Sequence, residues 1–290
     1  MMTKRNKKSK KAPLISRGRP PIFKATSSLS SKATRNIIRS HHTLQKQRTK
    51  AIADGDDVKA AVLMKQIEAQ GGIEGYQKAS LLGQSRERGG DSSKILLEWL
   101  KTLVIKLRQE AVGGPPLRML EIGALSSTNA CTTCNLFEVE RIDLNSQIRG
   151  IKKQDFMKMP IPIEEKDKFD IISMSLVLNF VPDAIGKGDM LLRTLKFLTT
   201  SCSEKYRDLF PCLFLVLPAP CVMNSRYLDD DRLKEIMESL GYSCVRYKLS
   251  RKLVYYLWRL ETLCPTRTRK FGKKEVRSGG TRNNFAIILN

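Results

Sequence analysis

The residues of this sequence that are best suited to chemistry stand at the ends of short apolar runs. Gly123 directly follows the run 117–122, and Asp143 lies at the end of the next run, about twenty residues later. A glycine at the carboxyl end of a buried strand lets the backbone turn sharply towards a ligand, and a carboxylate at this spacing binds the ribose hydroxyls in doubly wound nucleotide folds. The alternative is an ordinary βαβ unit in which Asp143 only caps a loop.

Two further pairs of residues follow the next strand-like runs. Asp155 and Phe156 end a weaker third run, and Asn179 and Phe180 belong to the end of a strong fourth run. The carboxyl ends of parallel strands meet at one edge of a sheet, where α/β proteins bind their ligands. We therefore expect these residues to lie beside the glycine and the carboxylate described above, in one ligand site.

Strand-like runs alternate with helical patterns along the chain, which implies a mainly parallel sheet. The runs cover residues 117–122, 139–144, 150–156, 169–182, 213–218, 244–249 and 254–260. Seven strands, the last reached through a long hairpin, match the layout of class I methyltransferases. The predicted fold is α/β and Rossmann-like, with a seven-stranded, mainly parallel sheet and helices on both faces.

Capping signals mark the helices between these strands. The predicted helices cover 57–70, the segment that Ser92 caps, 190–198 with Asp189 as its cap, and 233–240 after the acidic run 229–231. The segment before Ser92 carries two arginines and several glycines, so it is able to reach over a bound ligand. A plain surface loop is the alternative.

The net charge of +23 is concentrated at the two ends of the chain. Residues 1–50 hold fifteen Lys or Arg and no acid, and residues 265–290 carry a balance of +6, which leaves +2 for residues 51–264. Such ends fit a polyanionic partner, because each neutralised phosphate releases counterions. No amphipathic apolar face accompanies the charge, so nucleic acid is favoured over an acidic membrane.

Composition divides the chain into three parts. Residues 1–50 are predicted to be a basic, disordered low-complexity tail, because they lack the hydrophobicity to order themselves alone, although 31–50 could form a helix on a partner. Its first basic cluster is typical of a nuclear-import or RNA-contact patch, or of a solvated charged tail. Residues 51–112 are predicted to be a helical extension, and residues 113–290 the main α/β domain.

Cysteine usage favours reduced thiols and argues against a metal site. The seven cysteines are scattered, several within strand-like runs, and Cys131 and Cys134 form a lone CxxC pair with the only histidines, His41 and His42, far away in the sequence. We expect no metal site. The sequence has no signal-peptide pattern and no 18-residue apolar span, so we expect a soluble intracellular protein without a membrane partner.

Six segments resemble a known family, the fungal nucleolar enzymes that methylate N1 of an adenine in large-subunit (25S) ribosomal RNA. The matching segments are GQSRERGGD (83–91), LEIG (120–123), RIDLN (141–145), QDF (154–156), SLVLNFVP (175–182) and LPAPCVMNSRY (217–227). The resemblance covers about residues 57–290, and its last two segments are the most specific. It implies a nuclear and nucleolar location, with large-subunit rRNA or a preribosome as the partner.

The resemblance implies that the cofactor is S-adenosyl-L-methionine. By the resemblance, the cofactor contacts are Gly123, Asp143, Asp155, Phe156, Ser175 and Arg88. Asp155 and Phe156 would flank the adenine ring, one by a hydrogen bond and one by stacking. This chain lacks the glycine-rich loop that many nucleotide folds have after the first strand, so Ser126, Ser127 and Arg88 are the candidates for holding the methionine carboxylate.

Asn179 and Phe180 are the predicted catalytic residues. The N1 atom of adenine already carries a lone pair, so methyl transfer needs an oriented base, a dry pocket and an acceptor for the exocyclic amine rather than a strong base. The Asn179 side chain would accept from the amine, and Phe180 would stack on the extruded base. The alternative is that Asn179 caps a loop and Phe180 belongs to the core.

Two rival functions remain at this stage. The same core also resembles an animal S-adenosylmethionine sensor that regulates the TOR kinase pathway through protein partners and transfers no methyl group. A sensor does not need basic ends that carry nearly all the net charge, so the charge distribution favours the RNA enzyme. Methylation of a protein is excluded only weakly.

Overall fold

A seven-stranded sheet organises the described part of the chain. The computed structural model describes residues 30–83, 91–101, 116–146, 148–200, 207–261 and 269–290. The strands are β1 (Leu117–Ile122), β2 (Phe137–Asp143), β3 (Lys152–Lys153), β4 (Ile171–Ser175), β5 (Cys212–Pro218), β6 (Tyr242–Leu249) and β7 (Leu253–Leu260). They lie in the order β3-β2-β1-β4-β5-β7-β6, and only β7 runs antiparallel to its neighbours. The predicted seven-stranded, mainly parallel sheet is confirmed.

Both faces of the sheet are covered, which explains the continuous apolar runs of its central strands. Along β5, Leu213, Leu215 and Leu217 belong to the core on one face. Their neighbours Phe214 and Val216 belong to the core on the other face. Because successive side chains of a strand point to opposite faces, a strand buried on both sides must be apolar at every position.

Helices pack on this sheet and precede it. They are α1 (Ser31–Ala53), α2 (Asp57–Ala69), α3 (Gly72–Gly83), α4 (Ser93–Trp99), α5 (Ala130–Thr133), α6 (Ala184–Thr194), α7 (Ala219–Met223) and α8 (Asp230–Ser239). The prediction that Asp189 caps a helix over 190–198 is wrong. Asp183 is the cap, accepting a hydrogen bond from the Gly186 amide at 2.6 Å, and the helix begins six residues earlier than predicted.

Helix α1 contradicts part of the predicted disordered tail. Ser30 is its N-cap, whose hydroxyl accepts from the Ala33 amide at 3.1 Å, and the helix runs beyond the predicted boundary at residue 50. Its Leu44 and Ala51 pack into a small core together with residues of α2. The apolar residues of 31–50 therefore find their partner within the chain itself, because α2 and α3 supply the surface that composition alone does not reveal. Residues 1–29 lie outside the described part of the chain.

One smaller prediction about a strand is wrong. The third run, predicted over 150–156, pairs only at Lys152–Lys153, because the chain turns into a 3₁₀ turn at Phe156–Lys158. The last strand is reached through a hairpin, as predicted: β6 and β7 are eight residues each and pair antiparallel, with residues 250–252 between them.

The C-terminal residues 269–290 pack against α6 and the segment after β5. The Ile288 amide donates to the Ala184 carbonyl at 2.9 Å, and a Cβ on Gly188 would overlap the Ile288 carbonyl oxygen. Ser225 donates from its hydroxyl to the Phe285 carbonyl at 2.6 Å. Segment 217–227 is one of the two most specific segments of the resemblance. It therefore has a structural role, because it anchors the C-terminal end of the chain.

Candidate active site

Gly123 turns the chain at the carboxyl end of β1. Its φ is +71°, and its amide donates to the Ile142 carbonyl at 2.8 Å, which ties the turn to the end of β2. A Cβ at this position would lie 2.5 Å from Cγ2 of Val177. Two independent features therefore require glycine at this position. One is the left-handed backbone conformation, and the other is the close approach of the segment that follows β4.

Asp143 and Asp155 lie at the ends of neighbouring strands, as predicted. The Gln154 amide donates to the Asp143 carbonyl at 2.9 Å, which brings the two loops together. Each carboxylate also supports its own loop: Asp143 accepts from the Asn145 amide at 2.9 Å, and Asp155 accepts from the Met157 amide at 2.8 Å. Both side chains are half-buried at the strand ends, so the loops hold two carboxylates at the edge where a ligand would bind.

Phe156 does not present its ring to this edge. The side chain is 3% exposed and packs in the core against Phe197, with ring centroids 5.0 Å apart. Arg193 lies over the same ring and donates to the Phe156 carbonyl at 2.7 Å. The ring is therefore packed in the core, and stacking of Phe156 on the cofactor's adenine stays a prediction.

Ser175 joins the end of β4 to the segment before α4. Its hydroxyl lies 2.8 Å from that of Ser92. Asp91, the residue before Ser92, accepts from the Ser93 amide at 2.9 Å and from the Ala130 amide at 2.6 Å. Asp91 rather than Ser92 thus makes the side-chain cap of α4, which corrects the prediction. Arg88 lies outside the described residues.

Glu121 was not among the predicted site residues, although it supports the turn after β1. Both of its carboxylate oxygens accept from the Asn129 amide group, at 2.7 and 2.8 Å. Burial raises the pKa of this carboxyl above its usual value, while Asn129 and Arg141 act in the opposite direction. A buried acid has to be paired. The sequence signal for Glu121 was therefore an acidic residue directly before Ile122, inside the apolar run of a buried strand. The pairing stabilises the loop that carries Ser126 and Ser127.

Asn179 lies in a 3₁₀ turn, Leu178–Phe180, directly after β4. The turn follows Leu176, whose φ of +58° is unusual for a branched side chain. Oδ1 of Asn179 is buried and has no hydrogen-bond partner among the described residues. Since a buried acceptor without a donor costs about 1–3 kcal/mol, the amide is suited to a donor supplied by a ligand.

Phe180 is half-buried and meets rings from the N-terminal helices. His42 of α1 stacks on it with centroids 4.5 Å apart and planes at 19°, and Tyr76 of α3 meets it edge to face at 5.5 Å. Burial, helped by the charges of His41 and Lys187, lowers the pKa of His42 to about 4. The sequence does not predict these contacts, because the two histidines lie in the segment expected to be a basic tail, far from Phe180 and Tyr76 along the chain.

Two other features, a metal-ligand cluster and a membrane-spanning helix, are absent from the described part of the chain. Among the described residues, no three or more His, Cys, Asp or Glu side chains are grouped so that they could hold a metal ion. None of the described helices is long and apolar enough to cross a membrane.

Comparison with known proteins gives a consistent family match. The model of the family described as "25S rRNA (adenine(2142)-N(1))-methyltransferase, Bmt2" matches residues 61–287. The "25S rRNA adenine-N(1) methyltransferase" of Schizosaccharomyces pombe is 40% identical over 259 residues, which cover 87% of this chain and 89% of that protein. The "25S rRNA (adenine(2142)-N(1))-methyltransferase" of Saccharomyces cerevisiae is 42% identical over 229 residues, covering 78% of this chain and 63% of that protein.

Among solved structures, the magnesium protoporphyrin IX methyltransferase of Synechocystis PCC 6803 with bound SAM aligns with a TM-score of 0.37 at 14% identity. The alignment covers 56% of this chain and 78% of that chain.

Proposed function

Because this chain belongs to the family of 25S rRNA (adenine(2142)-N(1))-methyltransferases, we propose that it methylates N1 of an adenine in large-subunit rRNA, with S-adenosylmethionine as the methyl donor. One observation carries the assignment to a site: Asn179, whose buried Oδ1 has no hydrogen-bond partner among the described residues, directly precedes Phe180 in the 3₁₀ turn after β4. The alternative of a non-catalytic sensor is not supported, since both curated relatives are described as methyltransferases.

The residues at the strand ends fit S-adenosylmethionine. Asp143 supplies a carboxylate suited to the ribose hydroxyls, and Asp155 supplies an acceptor suited to an adenine amine. The turn at Gly123 separates the strand end from the hydroxyl-rich loop that carries Ser126 and Ser127. These donors and acceptors match the polar groups of the cofactor, which when bound supplies the methyl group and the leaving thioether.

The protein's own contribution to the transfer is orientation and charge stabilisation. The N1 lone pair of a neutral adenine attacks without prior deprotonation, and the ring becomes cationic as the bond to carbon forms. Oδ1 of Asn179 would accept from the exocyclic amine, which becomes a stronger donor as positive charge develops. An acceptor that is already in place and shielded from water stabilises that charge without reorganisation.

The N1 atom lies on the Watson–Crick edge, so the target has to be unpaired or flipped out of its helix. We propose that the basic ends of the chain hold the surrounding RNA by its phosphates, without reading its sequence. A preribosome in the nucleolus is the proposed setting, supported by the rRNA substrate of the relatives and by the fifteen Lys or Arg of residues 1–50.

The test uses the purified full-length chain, a large-subunit rRNA transcript and S-adenosylmethionine. Methylation at N1 blocks pairing, so it is detected as a new stop of reverse transcriptase. Asn179→Ala is expected to reduce the methylation rate by about 10²- to 10³-fold while cofactor affinity, measured by calorimetry, stays within about twofold. Asp143→Ala is expected to weaken cofactor binding by about 10- to 100-fold, because a charged acceptor is lost.

Asp167→Ala is the matched control, since this exposed carboxylate lies before β4, at the opposite edge of the sheet. It should behave as the wild-type chain does. A wild-type chain that produces no stop on any large-subunit transcript or preribosomal particle would contradict the proposed function. Full activity of Asn179→Ala would contradict the role of the amide.

A further inference from the structure

The first residues of α4 bond to the start of α5, the helix that follows the loop after β1. The Asp91 carboxylate uses both of its oxygens. Oδ1 accepts from the Ser93 amide at 2.9 Å and from the Ser93 hydroxyl at 2.6 Å, and Oδ2 accepts from the Ala130 amide at 2.6 Å. The Ser93 hydroxyl in turn accepts from the Cys131 amide at 3.3 Å. Asp91 and Ser93 therefore bind the first two amides of α5.

The loop between β1 and α5 is fixed at both of its ends. Its first end is Gly123, whose amide donates to the end of β2 at 2.8 Å. Its last residue, Asn129, caps α5 and donates to both carboxylate oxygens of Glu121 at 2.7 and 2.8 Å. The sequence has no glycine from 124 to 149, so the shape of this loop depends on such side-chain bonds rather than on glycine conformations. Asp91 bonds to the residue directly after Asn129.

Ser92 connects the same junction to the end of β4. Its hydroxyl lies 2.8 Å from the hydroxyl of Ser175, the last residue of that strand. Strands β1 and β4 are neighbours in the sheet and parallel, and α/β proteins bind their ligands at the carboxyl ends of such strands. Residues 91–93 therefore bridge the segments that follow two adjacent strands, at the edge where the cofactor is proposed to bind.

We propose that Asp91 is a positioning residue for the cofactor: through the Ala130 amide it holds the hydroxyl-rich loop 124–129 in the conformation that binds S-adenosylmethionine. The inference rests on the proposed function and deepens it. Asp91 acts through the loop and touches no reacting group. Because a loop that is already ordered loses little entropy on binding, loss of this bond is expected to weaken cofactor binding and to leave the transfer step unchanged once the cofactor is bound.

A carboxylate can accept hydrogen bonds on both sides of this junction, whereas a side-chain amide cannot. Asparagine has one acceptor oxygen, and its NH₂ group only donates. Asparagine replaces aspartate well in helix caps and in bonds to the backbone two residues on, so it can still accept from Ser93. Its NH₂ group would then face the Ala130 amide, which is also a donor. Asp91→Asn therefore keeps the cap of α4 and removes the bond to Ala130.

The experiment uses the full-length chain and measures S-adenosylmethionine binding by calorimetry and methyl transfer to a large-subunit rRNA transcript. Asp91→Asn should raise both the Kd and the KM for S-adenosylmethionine about 5- to 50-fold. The kcat at saturating cofactor and the KM for RNA should change less than about twofold. Asp56→Asn is the matched control, because Asp56 caps α2 by accepting from the Lys59 amide at 2.9 Å. It should leave all four constants as in the wild-type chain.

Two results would overturn the role of Asp91. An unchanged Kd in Asp91→Asn would show that the carboxylate serves only as the cap of α4, and an equal loss in Asp56→Asn would show that any cap has this effect. If circular dichroism shows that Asp91→Asn does not fold, Ser93→Ala tests the same junction, because it removes the hydroxyl that joins Asp91 to the Cys131 amide. Its Kd should rise about 2- to 10-fold, and an unchanged value would likewise overturn the proposal.

The proposed function fails in a different way from the role of Asp91. A wild-type chain that binds S-adenosylmethionine but methylates no RNA would contradict the proposed function, and the Kd values of the variants would still decide the role of Asp91. A wild-type chain that binds no S-adenosylmethionine would overturn both.

Discussion

At the scale of single residues, the site depends on backbone conformations that few side chains accept. Gly123 and Leu176 both have positive φ, and they belong to the turns that end β1 and β4. The two turns touch through Val177, which fills the space where a Cβ of residue 123 would be. The turn after β1 and the turn that carries Asn179 are therefore positioned against each other, and a change in one displaces the other.

Gly123→Ala tests this coupling. The new methyl group would meet Cγ2 of Val177 at 2.5 Å, and alanine would be strained at a φ of +71°. We expect a loss of about 1–3 kcal/mol in the free energy of unfolding, together with weaker cofactor binding. Denaturant unfolding and calorimetry measure the two effects. Gly272→Ala is the control, because nothing lies within 4 Å of its Cβ position; equal stability of both variants would show that the contact with Val177 relaxes at no cost.

At the scale of elements, the N-terminal helices are connected through His42 to the turn that carries Asn179 and Phe180. The imidazole stacks on Phe180, and both burial and nearby positive charge from His41 and Lys187 lower its pKa to about 4. Lys187 is itself buried and donates to the Asp183 carbonyl at 3.0 Å. Acidification should therefore work against this contact, because it places a further positive charge among these groups.

The sign of the pH dependence follows from the lowered pKa. Between about pH 6.5 and pH 4 the unfolded chain binds a proton at His42 and the folded chain does not, so stability falls as the pH falls through this window. The loss at His42 is at most about 3 kcal/mol. His42→Phe keeps the ring and removes the titration, so its melting temperature should fall less than that of the wild-type chain between pH 7 and pH 5. If the melting temperatures of the two proteins fall in parallel between pH 7 and pH 5, the pKa of His42 is not lowered by folding.

At the scale of the whole molecule, part of the positive charge near the C-terminus takes part in packing. Near the C-terminus, Arg232 lies over the ring of Phe271 at 4.6 Å, and Lys273 lies over that of Tyr227 at 4.2 Å. Substitutions there would disturb packing together with any contact to RNA. The nine Lys or Arg of residues 1–29 precede the first helix, so they offer a cleaner test of the role of charge.

Removing residues 1–29 should weaken RNA binding and flatten its salt dependence. Each phosphate contact that is lost reduces the slope of log K against log salt by about 0.7 for single strands, so nine lost contacts would reduce it by about 6 at most. Binding measured between 50 and 200 mM salt gives the slope. A chain of full length with Gln at all nine positions is the control for charge alone. An unchanged slope in both variants would exclude these residues from phosphate binding. A cut at residue 50 would be uninformative, because it would remove most of α1 and with it His42.

The sequence by itself determined the properties that are written into single segments. Continuous apolar runs predicted the strands of a covered parallel sheet, and the positions of Gly123, Asp143, Asp155 and Asn179 relative to those runs predicted that they share one edge. Both inferences depend on local patterns, since a strand's burial and the place where it ends are recorded in its own residues. The excess of basic residues at the two ends was likewise evident from composition.

The tertiary structure alone decided which surfaces meet. Phe156 follows Asp155 as predicted, yet its ring lies in the core because Phe197 and Arg193 enclose it. Within their own segment the two histidines contact only each other among the described rings, and the packing of α1 on α3 and on the turn after β4 brings His42 to Phe180. Such contacts join residues from different segments of the chain, and His42 and Phe180 are more than a hundred positions apart. Their geometry depends on long-range packing, which neither periodicity nor spacing within a segment can record.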